Sequence, residues 1–179
     1  MTVFGDGSRI QVNHPPQAPA EKIDGPLYSL LETTGLKKAE KASVLMLRGI
    51  VQFSRRNNRV ALGLLRESLR YSDSEIHNFY VVGFILQLLI IKSQPQEAIV
   101  LGVKWRKRAT KLNSNKNSCP VRAGLALAYI EVHRFQDAID ILENLKPDSF
   151  VEGILEFARS KLPPPLPTLP PPLPTLPVE

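Results

Sequence analysis

Between Lys38 and Lys161 no segment alternates apolar and polar residues as a half-buried strand would, whereas apolar residues recur every three or four positions in one segment after another. That spacing restricts the chain to helices packed on helices. From Arg59 to Tyr71 the residues Val60, Ala61, Leu64, Leu65, Ser68 and Leu69 form one stripe, with Arg59, Arg66 and Arg70 on the other side. Ala138, Ile139, Leu142 and Leu145 separate in the same way from Asp137, Asp140, Glu143 and Asn144. So do Phe150, Val151, Ile154, Leu155 and Ala158 from Glu152, Glu156 and Arg159.

Turn-forming residues set the breaks: Asn57-Asn58, Ser72 to Ser74, Ser93 to Pro95, Asn113 to Ser118, His133-Arg134 and Lys146 to Asp148. Seven main helices follow, with a short one expected from Pro26 to about Glu32. Ser72 with Glu75, Ser93 with Gln96 and Ser149 with Glu152 have capping-box spacing. The stretch Phe79 to Ile91, FYVVGFILQLLII, is the most apolar. A bilayer-spanning helix needs about twenty residues, so this one is expected at the centre of the domain.

The two ends differ in kind from the middle. Residues 1–23 hold few large apolar side chains, and residues 162–179 are almost wholly Pro, Leu and Thr. The expected organisation is a disordered segment 1–23, a helical domain 24–161 and a proline-rich, polyproline II tail 162–179. No start with the basic, apolar and small-residue pattern of a secretory leader is present, so a cytoplasmic location is expected. The single cysteine, Cys119, cannot form an internal disulfide.

Short connections force neighbouring helices to run antiparallel, and a series of such hairpins stacks into an array. Ala61, Ala98 and Ala138 occupy the same early place in the second helix of each pair, at spacings of 37 and 40 residues. From Gly124 to Pro147 the residues Leu125, Ala126, Tyr129, Phe135, Ala138, Leu142 and Pro147 stand in an order that resembles the tetratricopeptide repeat. The resemblance implies an all-α fold of tandem antiparallel hairpins, about three pairs plus a closing helix from Phe150 to Lys161. It departs from the repeat at Leu86 and Pro95, where a small residue and an aromatic are usual. Size and architecture are also similar to the tetratricopeptide chaperones and accessory proteins of type III secretion.

In such arrays the first helices line a groove for an extended or helical segment of a protein partner. The resemblance therefore implies Met46, Ile50 and Phe53, then Tyr80, Gln87 and Ile91, then Leu127, Ile130 and Glu131 as groove residues. An apolar groove rimmed by arginine suits a hydrophobic or acidic amphipathic segment, and the expected role is that of a non-enzymatic adaptor or chaperone.

No glycine-rich phosphate loop, paired metal ligands or nucleophile motif is present, and His14, His77 and His133 stand far apart. No catalytic, cofactor or metal site is expected. The net charge of +6 concentrates in a basic patch of Arg59, Arg66, Arg70, Lys104, Lys107, Arg108 and Lys111. Around Trp105, KWRKRATK would grip phosphates if the indole were free to stack, which makes RNA or DNA the alternative partner. Trp105 shares a helical face with Ala98, Leu101 and Leu112, however, and that favours a packed indole. The tail carries PPPLPTL twice, at Pro163 to Leu169 and Pro170 to Leu176. Pro164 and Pro167, with Lys161, resemble an SH3 ligand, and the PPLP beginning at Pro164 and Pro171 and ending at Pro167 and Pro174 resembles a WW ligand; a stiff spacer is the plainer reading.

Overall fold

The computed structural model describes residues 2–3, 9–10, 21–32, 35–111, 119–143, 145 and 149–163. Eight helices make up this part: α1 (Glu21–Glu32), α2 (Lys38–Ser54), α3 (Asn58–Tyr71), α4 (Glu75–Ile91), α5 (Pro95–Lys111), α6 (Cys119–Glu131), α7 (Phe135–Leu142) and α8 (Ser149–Ser160). Beside them Thr2–Val3 (β1) and Arg9–Ile10 (β2) pair antiparallel, Thr2 opposite Ile10 and Val3 opposite Arg9. The fold is helical, as the spacing requires, and α2 to α8 fall between the breaks read from the sequence. The additional helix begins at Glu21 rather than Pro26 and so enters the stretch expected to be disordered.

Each helix packs on its neighbour in sequence, from α1 on α2 to α7 on α8. A second set of contacts skips one helix: α2 meets α4, α4 meets α6, and α6 meets α8. The core therefore sits on α4 and α6, where ten of seventeen and ten of thirteen residues are buried. The central place expected for α4 is correct. Each large apolar side chain sealed there, such as Phe79, Ile85 and Leu86, contributes about 1.5–3 kcal/mol. The all-round burial of α6 was not legible in its sequence, because its alanines and Gly124 carry little apolar contrast.

The helices α2, α4 and α6 end in the same turn. Arg56, Ser93 and His133 adopt left-handed backbone, with φ of 62°, 56° and 58°. The next residue's N–H then reaches back across the turn: Asn57 to the Gln52 carbonyl (2.9 Å), Gln94 to Leu89 (2.9 Å) and Arg134 to Tyr129 (2.8 Å). These bonds satisfy carbonyls that a helix end would otherwise leave open. Ser93 thus terminates α4 instead of capping α5, which corrects the expected Ser93–Gln96 box. Likewise Ser74, not Ser72, caps α4: its Oγ accepts from the His77 N–H at 3.4 Å, while Ser72 Oγ accepts from the Ser74 N–H at 3.2 Å.

The apolar stripe of α3 needs adjustment. Val60 is exposed and Leu62 is buried in its place, whereas Ala61, Leu65 and Ser68 face inward as expected. The tie at Ser68 crosses three helices. Its hydroxyl donates to the Ala42 carbonyl of α2 at 2.8 Å and lies 2.9 Å from His77 Nε2 of α4. Because the single hydroxyl proton is committed to Ala42, Nε2 is the donor of the second bond.

Candidate binding face

Helices α2 and α4 are joined on one side by an edge-to-face pair, Phe53 and Phe84, with ring centroids 6.4 Å apart and planes at 72°. Along α4 the residues Tyr80, Phe84, Gln87 and Ile91 follow at i, i+4, i+7 and i+11, which is one line on a helix, and Ile76 extends it by a turn. Ile76, Tyr80 and Ile91 are exposed by 53%, 50% and 52%. Phe84 and Gln87 are half-buried between them. Three large apolar side chains open to water on one line of a helix are not ordinary scatter.

The line continues on α2. Thirty-seven residues earlier, the same register holds Ser43, Leu47, Ile50 and Ser54, with Leu47 exposed and Ile50 half-buried. Met46 and Phe53 are half-buried and pack their inner atoms on the core. The opposite flank of α4, with Phe79, Val82, Ile85, Leu86 and Leu89, is sealed against other helices, so the open line rests on a fixed backing. Exposed cations, Arg56 and Lys92, follow α2 and α4 at the same end of the two helices.

Of the nine expected groove residues, Tyr80, Gln87 and Ile91 share the α4 line, Phe53 of α2 stands against Phe84 of that line, and Met46 and Ile50 are half-buried on α2. Leu127 and Ile130 of α6 are only 3% exposed, because α4, α5, α7 and α8 all pack on that helix. They are core residues, and Glu131 beside them is half-buried. Ile76, Phe84 and Leu47 were missed, although counting helical spacing from Tyr80 and Ile50 reaches all three.

The basic patch is exposed throughout: Arg59, Arg66 and Arg70 on α3, and Lys104, Lys107, Arg108 and Lys111 on α5. Two of its members are paired. Arg66 meets Glu97 at 2.9 Å, and Arg108 holds Glu75 through both Nε and Nη2. Exposed pairs of this kind contribute little stability, about 0–1 kcal/mol each, but they lower the local positive charge. Trp105 is half-buried, edge-on to Phe79 at 6.0 Å, and the Arg108 guanidinium lies 5.1 Å from its ring centre. The indole is a packed residue, as its spacing indicated.

Arg122 is a buried cation that sequence reading did not single out. Its Nε donates to the Ile141 carbonyl at 2.9 Å and its Nη2 to the same oxygen, fastening α6 to the last turn of α7. Burial, with the charge of Arg106 added, pulls its pKa below the usual value. Burial also lowers the pKa of His77. Cys119, which forms no disulfide, is the first residue of α6 and is half-buried against the core. Among the described residues no group of histidine, cysteine and carboxylate side chains is disposed to hold a metal, and no helix is long and apolar enough to cross a membrane. His14 and the tail prolines Pro164, Pro167, Pro171 and Pro174 lie outside the described residues.

No protein-family model matches this chain, and neither does any curated protein or solved structure.

Proposed function

We propose that this chain is a non-enzymatic, tetratricopeptide-like scaffold that binds a segment of another protein on the joined faces of α2 and α4. The observation that carries the proposal is the open line Ile76, Tyr80, Phe84, Gln87 and Ile91, set on a helix whose other sides are sealed. Exposing such a line costs solvation without gain to the fold, and a partner that covers it recovers that energy. Support for the repeat reading comes from the left-handed turns at Arg56, Ser93 and His133, whose spacings of 37 and 40 match those of Ala61, Ala98 and Ala138. The contacts that skip one helix have the order expected of stacked hairpins.

The partner segment is apolar on one side, with acidic residues placed to meet Arg56 and Lys92. Holding such a segment is the task of an adaptor, or of a chaperone that keeps a secretion client covered until transfer. It requires no bond making. Binding is measured by fluorescence anisotropy with a helical peptide carrying a leucine stripe and glutamates elsewhere. Tyr80→Ala and Ile91→Ala are expected to weaken it by roughly 5- to 30-fold each, the ordinary range for buried anchors, with urea midpoints unchanged. Unchanged affinity in both variants would remove the proposal.

The nucleic-acid reading has less behind it. Trp105 is packed on Phe79 instead of being open for stacking, and Arg66 and Arg108 are engaged by carboxylates. A binding signal that vanishes between low and high salt, with a slope of several ions, would restore it.

A further inference from the structure

We propose that the α4 line with Phe53 is a receptor for polyproline, and that its resident occupant is this chain's own proline-rich segment, residues 164–179. The inference rests on the same face as the proposed function and concerns how that face is covered. It starts from the chemistry of the two surfaces.

Polyproline II has no internal hydrogen bonds, so its carbonyls need outside donors, and its rings pack well on flat aromatic surfaces. The line offers both. Tyr80 and Phe84 present aromatic rings, with Phe53 edge-on to Phe84. The Tyr80 hydroxyl and the Gln87 amide are donors on the same line, and Ile76 and Ile91 close it with apolar side chains at either end. From Leu162 to Val178 the chain holds only Pro, Leu, Thr and Val, without one charge. Such a segment brings no buried charge to an apolar face, and its leucines gain by leaving water.

The lengths agree. From Tyr80 to Ile91 the line is about 17 Å long at about 1.5 Å per helical residue. One PPPLPTL unit extends about 22 Å at about 3.1 Å per residue, enough to cover it. The segment departs from the end of α8, which packs on α6, and α6 packs on α4. Two helix spacings of about 8–10 Å each separate α8 from α4, and sixteen residues reach about 50 Å. Either copy of the repeat therefore reaches the line from within the same molecule. A tether of this kind supplies a local concentration on the order of 1 mM, so even a weak contact of about 0.1 mM keeps the face roughly tenfold more covered than open.

The test uses the full chain with the photo-crosslinking residue p-benzoylphenylalanine in place of exposed Tyr80, together with a second variant in which Leu166, Leu169, Leu173 and Leu176 are all serine. Irradiation is expected to join position 80 to residues 164–179 at monomer mass, and the serine variant is expected to lose that product. The serine variant is also expected to bind the leucine-stripe, glutamate-bearing peptide about tenfold more tightly than the parent chain. Crosslinks at dimer mass would assign the occupant to a second copy and overturn the intramolecular contact. Absence of any crosslink to 164–179 would overturn it outright; if the peptide still binds both chains equally, the protein-binding face stands alone. A tail crosslink without peptide binding has the opposite meaning: the polyproline receptor holds and the proposed external partner falls.

Discussion

A β-carbon placed on Gly83 of α4 would lie 2.7 Å from Cβ of Pro120 and 3.0 Å from its carbonyl group at the start of α6. Neither partner has a flexible end that turns aside, so this glycine sets how closely the two core helices approach. Gly83→Ala is expected to lower stability by about 1–3 kcal/mol through overpacking. Gly63, exposed in the middle of α3 with nothing within 4 Å of such an atom, provides the contrast. Gly63→Ala is expected to raise stability by about 0.5–1 kcal/mol. Urea denaturation of the two variants reads both signs; equal shifts would refute the account of the α4–α6 contact.

The left-handed turns predict a second gain. A side chain at positive φ costs about 1–2 kcal/mol where glycine pays none, part of which returns as glycine's greater freedom in the unfolded chain. Ser93→Gly, at φ of 56°, is expected to raise stability by about 0.5–1 kcal/mol. A thermal midpoint that falls would show that the Ser93 side chain supports the turn in a way its backbone does not reveal.

His77 predicts a pH dependence. Its folded pKa is lowered by burial, so the unfolded chain takes up the proton first as pH falls. The neutral ring's contribution is complete above the unfolded value of about 6.5 and is lost as pH falls through the lower folded value. Protonation enters at Nδ1, since Nε2 already carries the proton shared with Ser68. Chemical denaturation at steps between pH 7.5 and 5 is expected to show stability dropping in the parent chain and a smaller drop in His77→Gln.

Arg122→Ala is expected to cost about 1.5–3 kcal/mol, the worth of hydrogen bonds from a charged donor, because it frees the Ile141 carbonyl and empties a buried volume. Arg122→Met fills that volume and removes the desolvated charge, and is expected to cost less. A methionine variant as unstable as the alanine one would place the whole effect in the hydrogen bonds.

The sequence discloses most of the helical order and only part of the face. Periodicity located α2 to α8 because each break carries Asn, Ser, Pro or a charged pair, and the unbroken run Phe79 to Ile91 marked α4 as central. The resemblance to the repeat places Leu127 and Ile130 in a groove, where a shift of 40 residues sets them level with Gln87 and Ile90. Register cannot tell whether α7 and α8 close over a helix, and around α6 they do. Arg122 reads as a solvated cation until the Ile141 carbonyl is found beside it. Ser93 looked like a cap because its spacing to Gln96 is right; only the backbone angle shows that it ends the preceding helix.

The two helices of the face are held unequally. Helix α4 is gripped by α2, α3, α5 and α6, whereas α2 lies toward one end of the series, packed on α1 and α3 and only lightly on α4. Backbone amides of α2 are therefore expected to exchange with solvent through cheaper local openings than those of α4 and α6. An opening of α2 would withdraw Leu47, Ile50 and Phe53 while Tyr80 and Ile91 keep their backing. An occupant that bridges both acts as a clamp, and slowed isotope exchange along α2 alone would record its presence.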